Sequence, residues 1–428
     1  MENSVYNENI IPYRVGKTGW AWWVLVLALL AVIGIGVVGY LTQFLVGDYT
    51  TGLRDIGTGG GAAWGLYIIF LEYFIGVGFA GATLAAIIRI FNLKKLQPIS
   101  RIGVVLTVIC LPLGGLSIMA DLGQPERGLV NVIQFVSPHS PFFGDFTLVI
   151  AGSLIASVLF LYLTGRADAA IMARQPGRLQ WFYKLWAWGF RGTPGEASRH
   201  SAVLRWLGLA IIPLLIVAQS TLGSVFGIQG GRPGWYGAIQ APLTLAIAAV
   251  SGLGFLIVVA GILRKALNLK QQLEPGIFRW LGNLLWLLVS GYLFLTVLEL
   301  LAANYAGPSQ DAAVAGQLLT GAYAPVFWGG TGLMVAAFLM LFAQFAFNRY
   351  SIGWTVLAGV LVNFAAVAKR FFTVVPSQSY GTALPYVHGY YWPTWVEYSV
   401  VLGVFALGVL IYAIFVKIFP ITEVADNS

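Results

Sequence analysis

Ten long runs of apolar residues dominate the sequence and limit what the chain can fold into. Each run is about as long as the roughly 20 residues that a helix needs to cross the hydrocarbon core of a bilayer, and each is bounded by charged residues, glycine or proline. The runs cover residues 19–46, 62–91, 102–121, 145–165, 203–227, 236–263, 279–304, 325–347, 350–373 and 396–419. The sequence therefore predicts an all-α integral membrane protein with about ten transmembrane helices.

The composition points to the same class of protein. Only 9% of the 428 residues are charged and 58% are hydrophobic, whereas an ordinary soluble domain has about 25% charged residues. A net charge of +8 by itself is compatible with a nucleic-acid partner. The lysines and arginines instead lie in short clusters between apolar runs, as is typical of loops on one side of a membrane, so the lipid bilayer is the predicted partner and nucleic acid is not.

The distribution of positive charge predicts the orientation of the chain. If the N-terminus is inside, 19 of the 24 lysines and arginines fall on the inner side, as the positive-inside rule requires. The five on the outer side are Arg54, Arg127, Arg232, Lys369 and Arg370. Both termini are therefore predicted to be cytoplasmic, and the first run, which is longer than the apolar core of a signal peptide, is predicted to be retained as a span.

Short fragments recur in the same order in the two halves of the chain. "AAWGLYI" opens the second run and "GWYGAI" the sixth, while "SPFFGDF" precedes the fourth and "APVFWGG" the eighth. This order predicts two four-helix bundles, spans two to five and six to nine, although glycine and aromatic richness also produces such matches by chance. The predicted segments are 1–61, with the first helix; 62–228, the first bundle; 229–376, the second bundle; and 377–428, an outer loop and the last helix.

Ionisable residues within an apolar run are costly and are candidates for function by default. Glu72 lies near the middle of the second run, Glu299 near the end of the seventh, and Lys369 and Arg370 near the end of the ninth. These four residues form a candidate proton pathway. The alternative for Glu72 is a protonated acid that hydrogen-bonds across helices for packing alone.

A second set of polar residues lies where the spans meet the predicted outer face. Asp121 ends the third run in "MADLGQPERG", His139 lies in the loop "VSPHSPFFGD", and Asp145 begins the fourth run. Single acids at helix ends are usually solvated or cap a helix, but together these residues predict an outward-facing cavity that exchanges protons. Glu126 and Arg127, beyond Pro125, are expected to pair with each other or to dock a partner.

Cysteine and histidine are too scarce for a metal or haem site. Cys110 is the single cysteine, and the histidines are His139, His200 and His388, none of them well inside an apolar run. Cysteine-ligated clusters need several thiolates, and membrane b-type haems need histidine ligands. The sequence predicts that this chain carries no metal, haem or iron–sulfur cluster.

Four stretches resemble the NrfD/polysulfide-reductase (PsrC) family of membrane subunits. They are "WGLYIIFLEYFIGVGFAGATLAAIIRIF" at 64–91, "MADLGQPERGLVNVI" at 119–133, "SPHSPFFGDF" at 137–146 and "YYWPTWVEYSVVLGVFALGVLIY" at 390–412. Ten spans resemble the longer branch of that family, which includes membrane subunits of hydrogenase-type, sulfur-metabolism and alternative complex III assemblies.

The resemblance implies a quinone pocket at the outer end of the first bundle. It assigns proton exchange to Asp121 and His139 and the lining of the pocket to these two with Trp64, Tyr67 and Asp145. The implied ligand is menaquinone or another quinone. The implied partner is an extrinsic, ferredoxin-like iron–sulfur subunit, and through it a molybdopterin or multihaem cytochrome subunit, on the outer side of a bacterial or archaeal cytoplasmic membrane.

The resulting expectation is a quinone-binding subunit of a multisubunit respiratory oxidoreductase, with no redox centre of its own and with coupling to proton translocation as a hypothesis. Two other functions remain open at this stage. Ten spans and an internal repeat also occur in secondary transporters, and a purely structural membrane anchor would need no chemistry at the polar positions.

Overall fold

The computed structural model describes residues 15, 18–53, 62–134, 139, 147–174, 176–235, 237–379 and 390–423. These residues form helices and the segments between them, and no strand occurs in these ranges. Ten of the helices are long and apolar enough to cross a membrane. The predicted all-α class and the predicted number of spans are confirmed.

The described part of the chain contains thirteen α-helices, ten long and three short. In chain order they are α1 (Trp20–Val46), α2 (Leu66–Ile90), α3 (Gln97–Asp121), α4 (Pro125–Gln134), α5 (Thr147–Met172), α6 (Gln180–Ala187), α7 (Pro194–Gly227), α8 (Gln240–Ala266), α9 (Pro275–Leu301), α10 (Ser309–Leu319), α11 (Ala324–Ala346), α12 (Ile352–Ser379) and α13 (Trp395–Ile418). The short helices are α4, α6 and α10, and a five-residue π-helical turn, Ala302–Ala306, follows α9.

The largest difference from the predicted spans is the start of α7. The sequence places this span at 203–227, whereas α7 begins at Pro194. The Thr193 hydroxyl accepts a hydrogen bond from the Glu196 backbone N–H, and the Glu196 carboxylate accepts one from the Thr193 N–H. This reciprocal cap starts the helix at polar residues, which a search for apolar runs passes over.

Two other helices also run beyond their apolar segments. α5 continues to Met172 and so includes Asp168, and α12 continues through Pro376 to Ser379. The short helix α6 (Gln180–Ala187) overlaps the aromatic stretch "WFYKLWAWGF" of the loop between α5 and α7. In α5 and α12, polar residues continue the helix beyond the apolar run.

The long helices pack in two rings of four. α2, α3, α5 and α7 pack each against the next, and α7 returns to α2; α8, α9, α11 and α12 do the same, with α12 returning to α8. The two sets meet where α8 packs against α2 and α7 and where α12 packs against α2. α1 packs along α13, which also contacts α3.

Small residues allow the closest of these helix contacts. A Cβ atom added at Gly81 of α2 would overlap the carbonyl oxygen of Gly103 in α3, and one added at Gly103 would lie 2.6 Å from the carbonyl oxygen of Gly81. Helices in membranes gain van der Waals contact and interhelical hydrogen bonds by such close approach. The Thr107 hydroxyl uses it to donate to the Gly78 carbonyl at 2.6 Å.

The helices alternate in direction, so the site residues gather at one end of the assembly, called here the Asp121 end because α3 stops there. The opposite end holds a buried ion pair, Arg101 with Asp168 at 2.6 Å. Arg101 was expected in an inner loop, but it lies in α3 and is fully buried. The segment after α13 covers it, because Arg101 also donates to the Pro420 carbonyl at 2.9 Å.

Candidate functional site at the Asp121 end

Trp64 lies just before α2 and is held by a side chain of α12. The Trp64 backbone N–H donates to Oε1 of Gln378, and Nε2 of Gln378 donates back to the Trp64 carbonyl, both at 2.9 Å. The Trp64 ring stacks on Trp235 with a centroid distance of 5.5 Å and an interplanar angle of 20°. Phe226 meets both tryptophan rings edge-on. The start of α2 is therefore flanked by flat aromatic surfaces.

Gln43 of α1, which the sequence prediction missed, links Tyr67 of α2 to the end of α3 at Asp121. The Tyr67 hydroxyl, fully buried, donates to Oε1 of Gln43 at 2.7 Å. The Gln43 amide donates to the Ala120 carbonyl and to the Asp48 carboxylate, each at 3.1 Å. Asp121 follows Ala120 at the end of α3 and is itself buried, with 6% of its surface exposed.

The carboxylates around Tyr67 form an electrostatically linked group. Asp48, Asp121 and Glu397 all lie close enough to act on the Tyr67 hydroxyl. A buried phenol beside several carboxylates and an amide offers both hydrogen-bond donors and acceptors. This corner can therefore bind an uncharged oxygen atom and exchange a proton with it.

Glu397 at the start of α13 also lies at this end and was not among the residues assigned to the quinone pocket. It is fully buried and accepts hydrogen bonds from the Tyr391 hydroxyl, the Gly52 N–H at 2.8 Å and the Thr394 N–H at 3.0 Å. Burial and the Glu397 carboxylate raise the pKa of Tyr391 above its usual range. The Tyr391 hydroxyl accepts from the Leu66 N–H at 2.7 Å, which fixes the start of α2.

The loop residues of the predicted pocket are only partly described. His139 lies in a turn and is exposed. Asp145, the other predicted loop residue, lies outside the described residues, as does His388. Glu126 and Arg127 lie in the first turn of α4 and are exposed. The pairing of His139 with Asp121 stays a prediction.

The predicted proton-pathway residues separate into two neighbouring clusters. In the first, Arg370 of α12 is almost fully buried, donates to the Ser251 hydroxyl of α8 at 3.3 Å, and lies over the Tyr73 ring of α2 at 5.5 Å. A Cβ atom at Gly76 would lie 2.5 Å from its guanidinium nitrogen, so glycine makes room for the charge. The positive charges that act on the Glu72 carboxyl are those of Arg370 and Lys369.

Glu72 is buried, with 3% of its surface exposed, and faces this junction of α2, α8 and α12. Its Oε1 atom has no hydrogen-bond partner within the described part of the chain. Such an atom is costly in a low-dielectric interior unless it accepts or carries a proton. Because α2 begins at Leu66, Glu72 lies only about two helical turns from the Asp121 end, nearer that end than the middle of the helix where it was expected. The arrangement suits a carboxyl that exchanges protons.

Lys369 and Glu299 form the second cluster, nearer the Asp121 end. The Lys369 ammonium donates to Oε2 of Glu299 at 2.6 Å and lies 4.9 Å from the centroid of the Phe372 ring. The Gln240 amide donates to Oε1 of Glu299 at 3.4 Å. Lys369 and Arg370 are adjacent in α12, but the Lys369 side chain contacts α9 and the Arg370 side chain contacts α2.

Comparison with known proteins identifies the family. Residues 55–380 match the family described as polysulphide reductase, NrfD, which is well over half of the chain. The chain belongs to the NrfD family. The NrfD resemblance seen in the sequence is confirmed, and the ten apolar helices make this member a multi-pass membrane protein.

Three relatives of this NrfD protein align along nearly the whole chain. A putative membrane subunit of the dimethyl sulfoxide reductase of Halobacterium salinarum is 28% identical, covering 95% of this chain and 92% of its own. The Hdr-like menaquinol oxidoreductase integral membrane subunit of Archaeoglobus fulgidus is 26% identical and covers 93% of both chains. A subunit of the selenate reductase of Mesobacillus selenatarsenatis is 23% identical, covering 90% and 92%.

Within the residues that the structure describes, no group of three or more His, Cys, Asp or Glu side chains is placed to hold a metal ion. The polar groups at the Asp121 end are instead a phenol, an amide and carboxylates. Their chemistry is hydrogen bonding and proton exchange.

Proposed function

We propose that this NrfD protein is the quinone-binding membrane subunit of a multisubunit respiratory oxidoreductase. The observation that carries the proposal is the buried hydrogen bond between Tyr67 and Gln43 beside Asp121 at the end of α3. A quinone presents carbonyl oxygens on a flat ring, and the site provides a hydrogen-bond donor next to stacked aromatic rings. Pockets for small molecules commonly combine an apolar wall with a few such polar groups.

The names of the relatives support the same function. They are subunits of a dimethyl sulfoxide reductase, a selenate reductase and a menaquinol oxidoreductase. The last name includes menaquinol, so menaquinone is the proposed ligand of the present chain. We place the chain in the same kind of enzyme complex, where it carries no redox centre itself.

The residues of the site have distinct tasks in the proposed reaction. Reduction of a quinone to a quinol consumes two electrons and two protons, and oxidation releases them. An extrinsic iron–sulfur subunit exchanges the electrons and passes them to or from a molybdopterin or multihaem cytochrome subunit. Asp121 and His139 exchange the protons, and Trp64 provides an aromatic wall, with Asp145 near the entrance. The Tyr67 hydroxyl, which donates to Gln43 in the absence of ligand, turns its single hydrogen bond to a quinone oxygen.

The proposed placement in the membrane follows the distribution of charge. The two rings of helices correspond to two four-helix bundles, α2 to α7 and α8 to α12, with α1 and α13 beside them. Most of the described lysines and arginines lie in loops and helix ends on the side opposite Asp121, which favours a cytoplasmic location for that end and for both termini. The site then opens toward the extracytoplasmic side, where the iron–sulfur partner docks.

We also propose that the complex couples quinone chemistry to proton translocation. Glu72 is the seventh residue of α2 and lies near Arg370, and Lys369 is paired with Glu299, two residues before the end of α9. Buried ionisable groups in such a series are typical of proton relays in membranes. These four residues can bind and release protons in the half of the membrane nearest the proposed quinone site.

Quinone-coupled turnover of the complete complex tests the redox proposal. Asp121→Asn and His139→Ala are expected to lower turnover with a menaquinol analogue by about 100-fold, the usual size of a lost proton-transfer group, while the complex stays assembled. Glu274→Gln and His200→Ala are matched controls, since both residues lie at the opposite end.

The outcomes also separate the alternatives. Unchanged turnover in Asp121→Asn and His139→Ala indicates a structural anchor and overturns the proposal. A chain that purifies alone, without iron or quinone, and binds a small solute indicates a secondary transporter.

Proteoliposomes that contain the complete complex test proton translocation. Glu72→Gln is expected to abolish turnover-linked proton movement while leaving electron transfer within about threefold of the original rate. Equal proton movement by Glu72→Gln and the unaltered complex contradicts the proposed pathway.

A further inference from the structure

A large apolar cavity lies in the half of the helical assembly away from Asp121. Its volume is about 540 Å³, and residues of α1, α2, α3, α8 and α13 line it. This volume is within the range of about 300–1,000 Å³ that ligand pockets commonly have. The cavity shares no lining residue with the Tyr67–Gln43–Asp121 corner. It is therefore a different site from the proposed quinone site.

The length of the cavity matches one leaflet of a bilayer. Along α13 its lining runs from Phe405 to Lys417, a span of roughly 18 Å at 1.5 Å per helical residue. Half of the hydrocarbon core is about 15 Å thick. The deep end reaches Tyr73 of α2 and Leu113 of α3, so the cavity extends from one membrane surface to about the middle.

The cavity is bordered by side chains that face lipid. Leu25 of α1 and Ile262 of α8 line it and are 42% and 58% exposed. In a protein that spans a membrane, exposed apolar residues at this depth contact acyl chains. A lipid can therefore enter from the side, and water cannot.

Two buried polar atoms on the lining side chains indicate what kind of head group the occupant has. The Tyr412 hydroxyl and Nε1 of Trp22 have no hydrogen-bond partner within the described part of the chain, and both side chains line the cavity. Tyr412 is only 8% exposed. Without water, each such donor needs an acceptor, and the ester oxygens of a glycerolipid are acceptors at the depth where the apolar chains begin.

Positive charge is concentrated at the same end of these helices. The last turn of α8 contains Arg264 and Lys265, and the last turn of α13 contains Lys417. Basic residues next to the hydrocarbon boundary attract anionic phospholipids. The charge complements a phosphate group and favours an anionic lipid over a neutral one.

We propose that this cavity is a binding site for an anionic phospholipid, whose acyl chain fills the apolar part and whose ester oxygens accept hydrogen bonds from Trp22 and Tyr412. The phosphate lies near the basic last turns of α8 and α13. The lipid joins α1 and α13 to both rings of four helices. It is a structural component and does not depend on the quinone site.

Photolabelling of the purified complete complex tests the proposal. The probe is phosphatidylglycerol with a diazirine near the end of one acyl chain. It is expected to label the peptides of α2 and α3 that contain Tyr73, Cys110 and Leu113, and unlabelled phosphatidylglycerol is expected to compete. Labelling confined to the outer surfaces of the helices, or competition by menaquinone and not by phosphatidylglycerol, overturns the proposal.

Two variants with matched controls complete the test. Val259→Trp fills the cavity from α8 and is expected to abolish the labelling, whereas Val297→Trp, on an exposed face of α9, leaves it unchanged. Tyr412→Phe keeps the packing and removes the hydroxyl, so it is expected to raise the concentration of phosphatidylglycerol needed for competition about fivefold, whereas Tyr398→Phe on the same helix leaves it unchanged. Unchanged labelling in Val259→Trp or unchanged competition in Tyr412→Phe contradicts the assigned site.

Discussion

The ends of α3 and α9 place a carboxylate at similar positions but surround it differently. Asp121 ends α3 next to a phenol and an amide, Tyr67 and Gln43, which are joined by a 2.7 Å hydrogen bond. Glu299 lies two residues before the end of α9 and is held by the Lys369 ammonium at 2.6 Å. The Asp121 corner combines carboxylates with an uncharged phenol and an uncharged amide, and the Glu299 corner contains an ion pair.

This difference suggests a division of tasks between the two rings of helices. Uncharged donors and acceptors can exchange partners with a neutral ligand at modest cost, because a typical hydrogen bond contributes only about 1 kcal/mol net. An ion pair of low exposure is costly to separate, because each charge then lies unpaired in a low-dielectric region. The Asp121 corner therefore suits binding of a quinone, and the Lys369–Glu299 pair suits charge compensation or proton transfer.

The largest expected effect is a contrast between matched substitutions of the two carboxylates. Asp121→Asn is expected to lower kcat/KM for a quinol by about 100-fold because it removes a proton-transfer group. Glu299→Gln is expected to change the same value by less than about threefold, because Glu299 lies outside the quinone corner. Steady-state quinol oxidation by the complete complex measures both, and losses of similar size would contradict the division.

Removal of the lysine from the ion pair is expected to act on stability. Lys369→Met leaves the Glu299 carboxylate, whose side chain is 22% exposed, without its ammonium partner. The free energy of unfolding is expected to fall by about 2 kcal/mol, less than for a fully buried pair. Thermal unfolding in detergent measures the change, and Lys369→Met with Glu299→Leu is expected to recover most of it; a single variant as stable as the unaltered protein disproves the role of the pair.

The hydrogen bond between Tyr67 and Gln43 is expected to have a smaller effect. Tyr67→Phe and Gln43→Leu are each expected to reduce quinol turnover about tenfold, since each removes one hydrogen-bonding group from a buried site. The two residues share one contact, so the double variant is expected to resemble either single variant. If the double variant instead loses turnover by the product of the two single losses in the same assay, Tyr67 and Gln43 act independently and the shared role is wrong.

The smallest expected effect is at the surface beyond α3. Glu126→Gln and Arg127→Gln alter exposed charges in the first turn of α4 and are expected to change the affinity for the extrinsic subunit by a few fold. Screening by salt should reduce the difference, which binding measurements at two ionic strengths can detect. Glu274→Gln, at the opposite end, is the control, and an equal effect of that substitution would exclude docking at α4.

The sequence was sufficient to predict the ten spans because crossing a bilayer demands a continuous apolar run. The helices α4 and α10 were not predicted, since short helices with polar residues leave no such run. The start of α7 depends on the Thr193–Glu196 cap, a pattern that is visible in the sequence once polar helix starts are considered. The Thr394–Glu397 pair at the start of α13 carries the same signal.

Individual site residues could be nominated from the sequence, but their partners could not. Glu72, Lys369 and Arg370 were selected because charge in an apolar run is rare. The pairing of Lys369 with Glu299 joins residues 70 positions apart. The bond between Tyr67 and Gln43 depends on how the end of α1, which packs along α13, meets the start of α2. In the sequence, Gln43 is an ordinary polar residue near the end of an apolar run. Only the packing of the helices shows that it contacts Tyr67.

The most direct test of the central claim is photolabelling of the complete complex with an azido derivative of menaquinone. The account predicts that label is attached to peptides containing Trp64–Tyr67 or the end of α3 at Asp121, that menaquinone competes for it, and that Tyr67→Phe weakens it. Competed label attached instead to α8 or α9, around Glu299, would contradict the assignment of the quinone site to the first ring of helices.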